Sequence, residues 1–389
     1  MHMAREFEII VYGATGFTGR LVAEYLAAHY PDLKWAMAGR SADKLKSVAK
    51  EIGATKAAHI VANSDDPQSL ADMAARAEAI ITTVGPYQLY GDPLVRACVE
   101  AGTDYVDLCG EPAWMHDTIR RYDAAAKKSG ARIVHSCGFD SVPFDFGVYA
   151  AQDKARSEHG GPVQRMKGRV RKMQGTFSGG TAASFMETMK RAQKQPEILV
   201  WLKDPFSLTP DFEGPQQPHG MKPVYDEDIG SWSAPFIMAS INTKNVHRSN
   251  ALLGHIYGKD FVYDEMVLTG PGDKGEQAAN AVAQSGNSMG KNPPKPGEGP
   301  SKDERENGFY EVIFTGDAPD GTRITSVVGG NLDPGYGSTS RMISECALAL
   351  TRDVDRTATP GGIYTPAAAL GRAGIKRMVD NAGLYFRFE

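Results

Sequence analysis

Three glycines spaced three apart follow a short apolar run near the start of the chain: Gly13, Gly16 and Gly19. The first can supply a sharp turn, the second lets the backbone approach a pyrophosphate, and the third allows a helix to pack closely on a strand. Free N–H groups at the start of that helix then face the anion. The loop is therefore predicted to bind a dinucleotide through Gly13, Thr15, Gly16, Phe17, Thr18 and Gly19.

A cation, Arg40, ends the second predicted strand, about 20 residues past the loop, where an acid would bind the ribose hydroxyl of NAD. A guanidinium cannot accept a hydrogen bond from a hydroxyl, but it can pair bidentately with a phosphate. Ser41 and Lys44 stand beside it as further donors. The sequence therefore predicts NADP(H) as the cofactor.

A stretch with little side-chain bulk ends the fourth predicted strand at Val84, Gly85 and Pro86, where close approach to the nicotinamide half of the cofactor is possible. Tyr87 follows at once. Its phenol is a candidate proton donor for hydride-transfer chemistry, or alternatively a packing wall at this edge.

Two acids follow the next strands of the pattern. Asp140, with Ser141, ends the sixth predicted strand and could orient a water or a substrate hydroxyl, or cap the following helix; a structural or cofactor-orienting role is favoured for both. Glu111 ends the fifth strand as a possible proton relay, or as a favourable charge at a helix start. We retain Tyr87 and Asp140 as the catalytic candidates.

A polar and glycine-rich turn, 178–181, precedes a predicted helix in the second half of the chain. Its free N–H groups could bind a carboxylate, a thioester oxygen or a phosphate, and the alternative is an ordinary helix cap. Tyr336 could face the same cleft from the opposite side. The predicted substrate contacts are therefore Ser178, Gly179, Gly180, Thr181 and Tyr336, and no motif indicates a metal site.

Strands and helices alternate from residue 7 to about 136, which indicates six parallel strands with five helical crossovers. Right-handed crossovers arrange them as a doubly wound Rossmann sheet in the order 3-2-1-4-5-6, with ligands at the carboxyl ends of the strands. The predicted fold class is therefore α/β, and the residues named above fall at this edge of the sheet.

The pattern changes near residue 148, where a second α+β domain with a mixed or antiparallel sheet is predicted. Its strands are expected at 163–175, near 236–247 and at 260–269, with a hairpin that pairs 308–315 with 322–329. We expect three regions: a Rossmann domain over 1–147, a substrate and dimerisation domain over 148–344 with a mobile linker at 270–306, and C-terminal helices over 345–389 that return to the first domain.

Composition limits the function classes. The chain has 389 residues, 41% of them hydrophobic, which is enough for two cores. A net charge of -4 gives no general reason to bind nucleic acid. No run reaches the roughly 18 apolar residues of a membrane span, and four separated cysteines favour a reducing cytoplasm.

Motifs spread over nearly the whole chain resemble those of the saccharopine dehydrogenase-like oxidoreductases, and most of all their trans-acting enoyl reductase branch: 12–19, 38–40, 84–87, 107–111, 137–143, 178–181, 242–243, 248–250 and 365–369. The resemblance implies an NADPH-dependent enzyme that delivers hydride to a conjugated C=C bond of a polyketide-derived chain. It also implies a homodimer. Some members carry an apolar segment where this chain has polar residues, 273–300.

Three functions remain open from the residues. The first is an NADPH-dependent reductase of an activated alkene in an acyl or polyketide-like substrate. The second is saccharopine-type chemistry at a secondary amine or imine, which needs cations that clamp carboxylates; the basic stretch 165–172 could supply them or be a solvated strand face. The third is a non-catalytic NADP-binding regulator.

Overall fold

The computed structural model of this protein describes residues 5–175, 179–285 and 298–389. The strands are β1 Phe7–Tyr12, β2 Trp35–Gly39, β3 Ala58–Val61, β4 Ala77–Thr82, β5 Asp104–Val106, β6 Arg132–Val134, β7 Arg165–Gln174, β8 Val224–Asp226, β9 Ser231–Pro235, β10 Val262–Gly270, β11 Phe309–Asp317, β12 Arg323–Gly330, β13 Gly362–Tyr364 and β14 Leu384–Phe388.

The helices that connect these strands are α1 Phe17–His29, α2 Ala42–Glu51, α3 Pro67–Ala74, α4 Tyr87–Tyr90, α5 Asp92–Ala101, α6 Pro112–Ser129, α7 Val142–Glu158, α8 Gly179–Lys194, α9 Glu197–Lys203, α10 Ala239–Leu252, α11 Gly272–Ser285, α12 Lys302–Glu306, α13 Thr339–Arg352 and α14 Pro366–Arg377. Wider helical turns cover Pro334–Ser338 and Met378–Ala382.

The first sheet is parallel, in the order β13-β6-β5-β4-β1-β2-β3. The predicted Rossmann order of six strands is confirmed. The central strands β1 and β4 consist almost entirely of buried apolar residues, as expected for a parallel sheet covered on both faces. A seventh strand, β13, extends the sheet beside β6 and was not predicted, because three residues carry too little periodicity to be recognised.

The second sheet is mixed, in the order β14-β12-β11-β7-β10-β9-β8. Only β7 and β10 pair in parallel, whereas β11 and β12 form the predicted antiparallel hairpin. Helices α7 and α10 pack on this sheet. The α/β class with a second, mixed sheet is therefore confirmed.

The second half differs from the prediction at one strand and contains a helix within the predicted linker. Residues 239–252 form helix α10 where a strand was predicted near 236–247, and their polar side chains Asn242, Asn245 and Ser249 are buried against other elements. Residues 272–285 form helix α11 within the segment predicted as a linker, since its alanines favour a helix. Within that segment, 286–297 lie outside the described residues.

The C-terminal region connects both sheets. Helix α13 packs on α1, where the buried Glu345 accepts a hydrogen bond from the Tyr25 hydroxyl at 2.8 Å. The last strand, β14, pairs with β12, so residues 384–388 belong to the second sheet. The expected boundaries at 147 and 344 fall inside α7 and α13, and the division into domains stays a proposal.

Candidate active site

The glycine loop forms a tight connection from β1 to α1. Gly13 has a φ of +88°, a conformation that side chains rarely allow. A Cβ at Gly19 would lie 2.2 Å from the carbonyl oxygen of Gly13, so only glycine lets α1 pack this closely. Gly16 is exposed just before the first turn of α1. The loop thus presents bare backbone and free helix-start N–H groups, which fits a pyrophosphate.

Arg40 lies exposed at the carboxyl end of β2, and it forms no hydrogen bond or ion pair with any residue that the structure describes. Burial raises the pKa of Tyr12, and the charge of Arg40 opposes that rise, so the guanidinium lies near the end of β1. The Ser41 hydroxyl instead accepts the Lys44 N–H at 3.3 Å and begins α2. The arrangement leaves Arg40 available for a phosphate.

The segment at Val84, Gly85 and Pro86 lies beside the glycine loop. A Cβ at Gly13 would meet Val84 Cγ2 at 2.8 Å, and the Thr83 hydroxyl donates to the Gly13 carbonyl oxygen at 3.5 Å. The residues predicted to line the nicotinamide half are therefore in contact with the loop predicted to hold the phosphates.

Tyr87 does not present its hydroxyl to the cleft. The group donates to the Thr82 carbonyl at 3.2 Å and accepts from the Leu108 N–H at 3.0 Å, and the side chain is buried. Burial raises its phenol pKa well above the usual value. This geometry contradicts the expectation of a proton donor, because the phenol braces the ends of β4 and β5 instead.

Asp140 follows β6 at the same edge. The residue is partly exposed, and its carboxyl has no hydrogen-bond partner among the described residues. One oxygen, Oδ2, lies 4.0 Å from the position of a Cβ at Gly110, which follows β5. Burial raises the pKa of this carboxyl to about 7. Asp140 is therefore an acid that titrates near neutral pH, where its protonated and ionised forms coexist.

A second acid, Glu265, approaches Asp140 from β10. It is buried, and it accepts hydrogen bonds from Asn242 Nδ2 at 2.9 Å and from the Tyr263 hydroxyl at 2.8 Å. Burial raises its pKa to about 8, with the charge of Asp140 adding to the rise. The sequence pattern did not indicate these residues, because the segment around Asn242 was predicted to be a strand. Asn242, Asn245 and Ser249 are spaced by three and four residues, which is a helical spacing. This spacing indicates that the three side chains lie on one face of a helix.

Glu111 joins the segment after Pro86 to helix α8. Its carboxylate accepts from the backbone N–H groups of Tyr87 and Gln88 at 2.8 and 2.9 Å, and from the Ser184 hydroxyl at 2.7 Å. Gln88 also donates to the Thr188 hydroxyl at 2.9 Å. Burial raises the pKa of Glu111, and these three donors work against that rise. Glu111 therefore holds α8 against the segment after β4 that is predicted to line the nicotinamide.

Replacing Glu111 with Gln is expected to destabilise this junction. An amide NH2 would replace one carboxylate oxygen and face a backbone N–H, which leaves a buried donor without an acceptor at a cost of about 1–3 kcal/mol. Denaturant unfolding should show this loss, whereas Glu100→Gln, an exposed acid on α5, should unfold like the wild type. Equal unfolding free energies for Glu111→Gln and the wild type would contradict the bracing role.

The predicted substrate contacts are only partly described. Ser178 lies outside the described residues, and Gly179, Gly180 and Thr181 begin α8. Tyr336 is buried and packs edge-on against Phe17, the first residue of α1, with ring centroids 4.7 Å apart. Tyr336 thus lies beside the dinucleotide loop.

The described residues offer neither a membrane-spanning helix nor a metal-binding cluster. Along 5–175, 179–285 and 298–389, none of the helices has the length and hydropathy that crossing a membrane requires. The same segments contain no group of three or more His, Cys, Asp or Glu side chains placed to hold a metal ion.

Comparisons with known proteins agree with this geometry. The family model of the saccharopine dehydrogenase NADP-binding domain matches residues 9–134. A Mycobacterium tuberculosis protein, provisionally named as a trans-acting enoyl reductase, is 41% identical over 96% of both chains. A trans-acting enoyl reductase of Mycobacterium ulcerans is 38% identical over 96% of both chains.

The fold also matches a solved structure. Saccharopine dehydrogenase (L-Glu forming) from Saccharomyces cerevisiae aligns with a TM-score of 0.56 and 13% identity, over 98% of this chain and 100% of that one. At this identity the match supports the shared architecture alone.

Proposed function

The chain belongs to the trans-acting enoyl reductase branch of the saccharopine dehydrogenase-like oxidoreductases and is an NADP-dependent oxidoreductase, and we propose that it reduces the conjugated C=C bond of an acyl or polyketide-like substrate. The observation that carries this proposal is the carboxyl of Asp140, which has no hydrogen-bond partner among the described residues and whose pKa burial raises to about 7, at the edge where the nicotinamide would lie. An alkene reductase needs a proton donor there.

Bound NADPH would supply a hydride to the β carbon of the unsaturated acyl group. The loop Gly13–Gly19 and Arg40 would hold its phosphates, and Val84, Gly85 and Pro86 would leave room for the nicotinamide. Asp140 would then protonate the α carbon as a general acid and recover its proton from solvent. The C=C bond gains one hydride and one proton, and NADPH becomes NADP⁺.

The amine or imine alternative finds few available cations on β7. Such a reaction requires basic side chains free to clamp carboxylates, but every basic side chain on this strand except the exposed Lys172 is already paired with an acid within the chain. Arg165 pairs with Asp264, Lys167 with Asp226 and Asp228, Arg169 with Asp226 and Asp264, and Arg171 with Glu311 and Glu389. These pairs support the alkene reductase over the saccharopine-type reaction.

A spectroscopic assay separates the three functions. We expect the protein to oxidise NADPH in the presence of enoyl-coenzyme A thioesters and conjugated enones, and to leave cyclic imines unreacted. Oxidation with imines alone would favour the amine class. Cofactor binding without turnover of any of these compounds would favour the regulator.

We extend two further family properties to this chain, a homodimer formed through the second sheet and a cytoplasmic location. The edge strand β8 exposes Val224 and Tyr225, which supports a contact at that end of the sheet. Sedimentation velocity should give the mass of a dimer, and a monomer at all protein concentrations would contradict this part of the proposal.

A further inference from the structure

A cluster of four residues from distant parts of the chain surrounds the first turn of α1: Phe17, Gly299, Arg305 and Tyr336. The Arg305 guanidinium carbon lies 5.6 Å from the centroid of the Phe17 ring, and Tyr336 meets that ring edge-on. A Cβ at Gly299 would lie 2.5 Å from Phe17 Cε1, so the 299 backbone rests directly on the ring. This Phe17 cluster brings residues near 300 to the dinucleotide loop.

Arg305 is held in place without a direct ion pair, although its charge opposes the rise that burial causes in the pKa of Asp333. Its backbone carbonyl accepts from the Asp333 N–H at 2.9 Å, and its guanidinium donates to the Pro300 carbonyl at 2.7 Å. It forms no ion pair with a carboxylate in the part of the chain that the structure describes. The carboxylate of Asp333 instead accepts the N–H groups of Tyr336 and Gly337, at 2.9 and 2.8 Å. A half-buried cation therefore remains available for an anion.

We propose that Arg305 binds the pyrophosphate of NADP(H), on the side of the loop opposite the N–H groups of α1. Phe17 directly follows Gly16, where the pyrophosphate of a dinucleotide meets the helix start, and Arg305 stacks on that side chain. Arg40, by contrast, lies at the end of β2, where the 2′-phosphate is expected. The family model ends at residue 134, so it assigns no role to Arg305.

Replacing Arg305 and replacing Arg40 should affect the binding of NADH and NADPH differently, because the two cofactors share the pyrophosphate and differ in the 2′-phosphate. Arg305→Gln is expected to weaken the binding of both reduced cofactors about tenfold, as the loss of one charge-assisted hydrogen bond would. Fluorescence titration measures both dissociation constants. Lys302→Gln, on the same short helix with an exposed side chain, should leave both unchanged.

Two results of the titration would contradict a contact between Arg305 and the pyrophosphate. Unchanged binding of NADPH and NADH by a folded Arg305→Gln variant would overturn the proposal, and so would a loss confined to NADPH. Chemical modification of wild-type arginines with phenylglyoxal, mapped by mass spectrometry, tests the contact without a substitution. NADH should protect Arg305 as well as NADPH does, and modification at the same rate with and without cofactor would contradict the contact. Neither readout depends on the substrate.

Discussion

Replacing Asp140 with Asn is expected to lower kcat for enoyl thioester reduction by about 100-fold or more, the usual contribution of a positioned general acid. The amide keeps the size of the side chain but cannot donate a proton to the α carbon. The dissociation constant for NADPH should stay unchanged, because Asp140 has no assigned contact with the phosphates. Steady-state kinetics and cofactor titration separate the two effects, with Asp32→Asn, an exposed acid, as the control.

The pKa of the Asp140 carboxyl should determine how the rate of the wild-type enzyme depends on pH. Burial raises the pKa of Asp140 to about 7, and the acid must be protonated to act. The rate should therefore be constant at lower pH and fall as pH rises through about 7. Glu265 approaches Asp140 from β10, has its pKa raised to about 8, and accepts hydrogen bonds from Asn242 on α10 and from Tyr263. If the Asp140→Asn variant has a normal rate and the wild-type pH profile, Asp140 is not the proton donor.

Replacing Arg40 with Asp is expected to weaken NADPH binding by at least about 100-fold. The change removes a charge-assisted pair and puts a carboxylate beside the 2′-phosphate, and each effect is worth roughly 1.5–3 kcal/mol. NADH should bind as well as before or better, because the new carboxylate can accept the ribose hydroxyl. Lys50→Asp, which makes the same change of charge on α2, should leave the preference for NADPH intact. Equal weakening of both cofactors would contradict a 2′-phosphate role.

The first sheet was predictable because its strands, helices and turns are encoded by residues close together in the sequence. Apolar strands, amphipathic helices and Gly13 with its positive φ each leave a signal within a few residues. The short strand β13 left none, since its three residues join the sheet only through pairing with β6, far away in the sequence.

The site was less predictable because it depends on partners distant in sequence. The Tyr87 hydroxyl forms hydrogen bonds with the backbone of Thr82 and Leu108, and the residues around Tyr87 in the sequence do not indicate these contacts. Helix α10 buries Asn242 against Glu265, so its face looks polar where a core helix is expected to be apolar. Tertiary hydrogen bonds thus override the periodicity on which sequence-based prediction depends.

Single turnover with NADPH that carries deuterium at its transferable position tests most directly whether this chain reduces a conjugated double bond. An enoyl thioester should yield the saturated thioester with one deuterium on the β carbon and a solvent proton on the α carbon, located by mass spectrometry and NMR. Label found instead on the carbon next to nitrogen in an imine substrate, with the enoyl thioester unchanged, would contradict the proposed function.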